Sequence, residues 1–383
     1  MPEARIPYGR HEIDDADIAA VVAVLRGDWL TTGPAVERFE GDFATFIGAP
    51  HAVACANGTA ALHLAMAALN IGPGDEVIVP ALTFAASANC ARYVGATVVF
   101  ADVCSDTLTI DVAHVESLVT SRTRAIVAVD YAGLPADLGP LRAIADRHGL
   151  ALVEDGCHAP GATYRGQKVG AIADLTTFSF HPVKHLTTAE GGMVTTSDAA
   201  LATRLRTLRN HGITTDQRQR AALGTWEYDM VTLGWNYRLS DLQCVLGISQ
   251  LTKLPGWLAH REGIAARYDA AFADAPALVR QRVPDDRTHA WHLYPVRLAG
   301  DAPAAARAAA FASLRVAGIY ANVHYRPVYL HTYWQELGFR PGLCPVAEHA
   351  YDGLLSLPMW HGLGHDAQDR VIDAVLSEVA IHA

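Results

Sequence analysis

Lys184 stands in the stretch FSFHPVKHLTTAEGG, a few residues beyond an apolar run that reads as a strand. Pro182 and His185 flank it, and Thr187, Thr188 and the pair Gly191-Gly192 follow. Its neighbours are apolar or small, an odd setting for a lysine that only decorates a surface. A desolvated lysine loses its proton more readily, and its amine can form a Schiff base with an aldehyde. Read alone, a solvated lysine is the commoner case. Upstream, Asp155 closes the run ALVED. A carboxylate at a strand's carboxyl end can pair with a protonated pyridine nitrogen and keep such a ring an electron sink; it can equally be a turn or capping residue. Asn57, Gly58 and Thr59 open the helical run TAALHLAMAAL. Backbone N–H groups there, with the Thr59 hydroxyl, can cradle a phosphate, although N-G-T by itself is an ordinary capped turn.

The elements that must position these residues follow from the hydrophobic pattern. Between about residues 51 and 200, short apolar runs (HAVAC, EVIVP, ATVVFADV, RAIVAVDY, ALVED, TTFSF, GMVTT) alternate in large part with helical stretches. That texture predicts an α/β fold with a mostly parallel central sheet flanked by helices. In such sheets ligands collect at the carboxyl ends of the strands, where the residues above fall. LSDLQCVLGISQLTKLPGWLAHREGIAARYDAAF reads as a long helix with a break or bend near Pro255. HAWHLYPVRL and YANVHYRPV read as strands, and PAAARAAAFASLRVAG and HDAQDRVIDAVLSEVA as helices. The expected organisation is a large domain with an N-terminal arm over residues 1–250 and a small α+β domain over 251–383.

Composition narrows the function. Of 383 residues, 51% are hydrophobic and 18% charged, which favours large buried cores over disorder. A formal net charge of -10 argues against a nucleic-acid binder, which needs a basic face. A small anionic ligand needs only local donors. The six cysteines form no C-x-x-C pair, so neither a disulfide framework nor a zinc site is expected. No run approaches the roughly 20 apolar residues of a membrane helix, and the N-terminus lacks a signal-peptide core. The cytoplasm is the expected location.

Seven segments in order, LTTGPAVERFE, NGTAALHLA, GDEVIVPALTFAASANC, VEDGCHA, FSFHPVKHLTTAEGG, LGWNYRLSDLQCVLGISQL and HAWHLYPVRL, resemble the DegT/DnrJ/EryC1/StrS family of sugar aminotransferases. That family is a branch of fold-type I pyridoxal-phosphate (PLP) enzymes. The resemblance implies that Lys184 holds the cofactor and then acts as general base and acid, with Asp155 on the pyridine nitrogen. It implies that Phe84 stacks on the ring, that His158 packs near the ring and its 3-hydroxyl, and that Gly58, Thr59, Ala60 and Ser179 contact the phosphate. Asn236 matches a residue reaching the phosphate of the neighbouring subunit's cofactor, so a homodimer with shared sites is implied.

Within the family, dehydratases replace the lysine with histidine; here Lys184 is retained. LTTAEGG differs from the LGALGDGG type of loop found in members acting at C3 and is similar to members acting at C4. The nearest motif resemblance is to the enzymes of pseudaminic-acid synthesis. The implied reaction passes the amino group of L-glutamate through pyridoxamine phosphate (PMP) to a UDP-linked 4-keto-6-deoxy-sugar. C3 keto-sugars and keto-cyclitols remain alternative substrates. A non-catalytic PLP-binding regulator is disfavoured by Lys184, Asp155, Thr59 and Ser179 together. Candidate substrate contacts are His324, Tyr325, Arg326, Tyr329 and His331 in NVHYRPVYLHTYW, together with Arg238; Tyr8 and Trp29 are further candidates.

Overall fold

A computed structural model describes residues 5–382. The seven apolar runs form one sheet in the order His51–Cys55, Gly192–Thr196, Leu175–Ser179, Ala151–Asp155, Thr123–Val129, Glu76–Pro80, Thr97–Ala101. All pairings are parallel except those of Gly192–Thr196, which is antiparallel to both neighbours. The period of two along each strand splits the apolar residues between two cores. Val77, Val79, Val127 and Val153 face the helices Gly58–Ala68, Ala85–Tyr93 and Ala199–Arg209. Ile78, Ile126 and Leu152 face Val112–Leu118 and Leu138–His148. Helix Gly58–Ala68 is buried along nearly its whole length, and each fully buried Leu or Met on it contributes about 1.5–3 kcal/mol.

Helix Asp241–Ala271 runs without interruption through Pro255. The expected break is absent because Pro255 lies on the exposed face, where the carbonyl deprived of its N–H partner can be solvated. Its first half packs on Pro34–Ile47 through Gly247, where a Cβ would come within 2.5 Å of the Phe39 ring. The Asp241 carboxylate caps that neighbouring helix, accepting from Gly33 N at 2.7 Å and Ala35 N at 3.0 Å. The second half joins a separate core of Tyr268, Phe272, Tyr294, Leu314 and Val371. This core covers the antiparallel strands Leu278–Arg280, Tyr294–Leu298 and Leu354–Leu357.

Two expected strands are shorter than read. In HAWHLYPVRL only Tyr294–Leu298 is strand; the preceding residues turn into the interior, where Arg261 donates to the Trp291 carbonyl at 2.8 Å. Of YANVHYRPV only Tyr320 is strand, as the end of Ile319–Tyr320 paired with the N-terminal Ile6–Pro7, beyond which Asn322 and Ser356 form an isolated bridge. Pro327 supplies no N–H for a ladder. Among the described residues, no helix is long and apolar enough to cross a membrane.

Candidate active site

A cavity of about 730 Å³ opens where the parallel strands end. Val129, Asp155, Ser179, Thr83 and Phe84, each at or just past a strand's carboxyl end, line it with Lys184. The Lys184 loop is closed at its base by Phe180 N donating to the Gly191 carbonyl at 2.8 Å. Inside it, the Thr187 hydroxyl donates to the Phe180 carbonyl at 3.0 Å and the Thr188 hydroxyl to the Glu190 carbonyl at 2.7 Å. A Cβ on Gly191 would lie 2.0 Å from the Thr188 hydroxyl oxygen. The TTAEGG sequence is thus what winds this loop tightly enough to present Lys184. Burial lowers the Lys184 pKa below the usual lysine value, against upward pulls from Cys157 and Asp155.

Asp155 is fixed by hydroxyls. Thr83 donates to Ser87 at 2.8 Å, and Ser87 donates to Asp155 Oδ2 at 2.6 Å. Cys157 N donates to the other carboxylate oxygen at 3.3 Å. Around Lys184 stand five buried imidazoles, His158, His185, His289, His292 and His324. His158 and His292 rings lie 4.3 Å apart, and His185 and His292 5.5 Å. Burial pulls all five pKa values down; the Lys184 charge adds to this at His158, His185, His292 and His324. The wall is therefore neutral imidazole. His158 Nε2 and the Tyr325 hydroxyl are 3.3 Å apart.

Most of the residues singled out in the sequence meet here: Gly58, Thr59, Phe84, Asp155, His158, Ser179, Lys184, His324, Tyr325, Arg326, His331 and Tyr8 all line the cavity. Phe84 is 56% exposed, an aromatic face left open to it. Ala60 does not line the cavity, because its N–H is donated to Asn57 Oδ1 at 2.8 Å. Tyr329 is a correction: it is fully buried in the core, its hydroxyl bonded to Glu348, and it does not reach the cavity. Arg238 lies instead on a second cavity of about 590 Å³ with Arg206, Arg209 and Glu40, and donates to Asn210 Oδ1 at 2.8 Å. Asn236 lines neither cavity and bridges to Asn210; Trp29 lines neither. Ser87 and His292 were not apparent from the sequence. Ser87 sits one turn into a helix whose direction decides its role, and His292 lies in a motif that reads as strand.

The residues fit PLP. Asp155, held as an acceptor at the cavity floor, suits a protonated ring nitrogen. The open Phe84 face suits a flat ring. At Gly58 a Cβ would come within 2.8 Å of Ser179 Cβ, so only glycine lets the helix N-terminus and the Ser179 strand end converge on a phosphate.

An α/β sheet of this order with a buried lysine and a facing carboxylate beyond its strand ends belongs to a fold-type I PLP-dependent aminotransferase. The similarities agree. Streptococcus pneumoniae Spr1654, a proposed sugar aminotransferase, matches in its PMP-form with a TM-score of 0.94 and 34% identity, over 99% of this chain and 100% of that one. Its PLP-form matches with a TM-score of 0.93. Helicobacter pylori PseC, an aminotransferase involved in pseudoaminic acid biosynthesis, matches with a TM-score of 0.92 and 32% identity, over 98% and 100%. Bacillus subtilis (strain 168) SpsC, a spore coat polysaccharide biosynthesis protein, is 41% identical over 373 residues, 97% of this chain and 96% of that protein. The profile of the DegT/DnrJ/EryC1/StrS aminotransferase family matches residues 11–376, and this chain belongs to that family, as a sugar aminotransferase.

Proposed function

We propose that the enzyme transfers the amino group of L-glutamate to the C4 keto group of a nucleotide-linked, UDP-type 4-keto-6-deoxy-sugar. The observation that carries this reading is the tightly wound Thr187–Gly191 loop presenting Lys184 opposite Asp155. The likeness to Helicobacter pylori PseC supports a substrate on the way to an amino sugar acid such as pseudoaminic acid, and the likeness to SpsC supports a product destined for a polysaccharide.

PLP supplies an aldehyde that carries the amino group between substrates and a ring that accepts the electron pair left when a proton departs from carbon. Lys184 Nζ, whose proton burial makes easier to lose, would take the α-proton of glutamate and later return a proton to the sugar C4. Asp155, its direction fixed by Ser87 and Thr83, would hold a proton on the ring nitrogen. Gly58, Thr59 and Ser179 hold the phosphate; Ala60 acts only through the Asn57 cap. His158, packed against the His292 ring, would stand beside the cofactor ring and its 3-hydroxyl. At the mouth His324 and Tyr325 meet the sugar, and Arg326 and His331 its diphosphate. A second copy supplies Asn236 and Arg238. In support, Leu223, Trp226, Tyr228, Met230, Val231 and Leu233, on the segment leading to them, are all more than half exposed. We assign residues 1–250 and 251–383 to two units, with helix Asp241–Ala271 crossing between them. A reducing cytoplasm suits six unpaired cysteines.

The test is the visible absorbance of the PLP-loaded enzyme, which L-glutamate should bleach and a UDP-linked 4-keto-6-deoxy-HexNAc restore. Bleaching without recovery would transfer the reading to a C3 keto-sugar or a keto-cyclitol.

A further inference from the structure

Two carboxyl groups behind Asp155 have no part in the reaction as set out above. Asp130 follows the strand Thr123–Val129, and Glu154 precedes Asp155 on the adjacent strand, in register with Ala128. Asp130 N donates to the Asp155 carbonyl at 3.1 Å. Both side chains are wholly buried. Each spends one oxygen on donors: Asp130 Oδ1 accepts from Ala136 N at 3.0 Å, and Glu154 Oε2 accepts from the Thr176 hydroxyl at 2.8 Å and Gly170 N at 3.2 Å. Each is left with one buried oxygen, Asp130 Oδ2 and Glu154 Oε1, that no donor reaches. Ala128 pairs with Glu154 and Asp130 follows Ala128 by two residues, so the two carboxyls lie on the same face of the sheet at neighbouring strand ends.

No lysine, arginine or histidine among the described residues pairs with either group. The charged groups that bear most on the pair are its own two members and Asp155. A buried carboxylate tolerates this only with donors or a counter-charge. Two orphan oxygens on neighbouring buried carboxyls become each other's partners once a single proton lies between them.

We propose that Asp130 and Glu154 share one proton, donated from Asp130 Oδ2 to Glu154 Oε1, and act as positioning residues that keep Asp155 ionised by holding the charge behind it at one rather than two. The shared proton also ties the ends of the two strands that carry the floor. Burial and mutual repulsion agree with this: the Asp130 pKa is raised well above the carboxylate range, and that of Glu154 is pushed up to about 7, chiefly by burial. The effect on catalysis rests on the assignment of Asp155 made above; the shared proton does not.

Asp130→Asn tests it, because the amide can still accept from Ala136 N while its N–H₂ donates permanently to Glu154. Infrared spectra of the PLP-loaded enzyme should show a protonated-carboxyl C=O band at neutral pH that disappears in both Asp130→Asn and Glu154→Gln. Absence of the band in the wild type, or its survival in both variants, overturns the shared proton. The wild-type visible band should shift at alkaline pH as the pair loses its proton, and this shift should vanish in Asp130→Asn. An unchanged shift alongside a lost infrared band overturns the link to Asp155 alone. Failure of the proposed sugar to react leaves both readouts intact.

Discussion

Asp155 on the floor of the cavity, and Asp130 and Glu154 behind it, stand at the ends of two adjacent parallel strands, and backbone N–H groups or hydroxyls hold one or both oxygens of each carboxyl. On the facing wall stand His158, His292 and His324; His292 packs against the rings of both His158 and His185, and His289, from the same segment as His292, stacks on Trp291 behind it. His158, His185 and His292 each keep an Nδ1 with no partner. A carboxylate must have donors when buried, so register and hydrogen bonds dictate the floor. An imidazole can discard its charge instead, so the wall is built by packing and tolerates loose ends. The two sides differ in what disturbs them.

The strongest break would come from the residue between them. Lys184→Ala should lower turnover by at least about 10²–10⁴-fold, the span of general acid–base catalysis, while dialysis should find PLP still bound by the floor contacts. Asp155→Ala leaves the Ser87 hydroxyl without its acceptor, and should cost roughly 100-fold in kcat/KM, about 2.7 kcal/mol, with a shifted visible band. Gly58→Ala drives a Cβ to 2.8 Å from Ser179 Cβ; overpacking of about 1–3 kcal/mol should lower Tm and speed the loss of PLP on dialysis.

The smallest effect sharpens the contrast most. Carboxyls with raised pKa values stabilise the fold at low pH, and that stability is lost as pH rises, for Glu154 from 4.5 to about 7. Imidazoles with depressed values do the opposite. Their contribution is present above 6.5 and lost as pH falls towards about 4 for His324 and about 3 for His289. Asp130→Asn and His324→Gln should therefore tilt the plot of Tm against pH in opposite senses between pH 4.5 and 6.5. Equal tilts would show that the two sides do not respond differently.

The floor was largely legible in the sequence and the wall was not. The strands read from ALVED and TTFSF close at Asp155 and Ser179 because strands run in one direction and their ends are fixed by a local pattern. The Thr and Gly residues after Lys184 mark a tight loop on their own. Tyr325 and Tyr329, by contrast, look alike in NVHYRPVYL. Only the short 3₁₀ turn Val328–Leu330, which points Tyr329 at Glu348 in the core, tells them apart. His292 and Ser87 owe their positions to remote partners, so no local signal could reveal them. Arg238 met a different cavity for the same reason.

The strand His51–Cys55 has a single sheet neighbour, Gly192–Thr196. On the ribosome it must wait for roughly 140 more residues, about 7–30 s at ordinary elongation rates, before that neighbour exists. During that interval an apolar edge is free to pair with another nascent chain. Protein yield in a host cell should therefore depend on chaperone supply and on translation speed across residues 56–191, even in variants whose finished fold is fully stable.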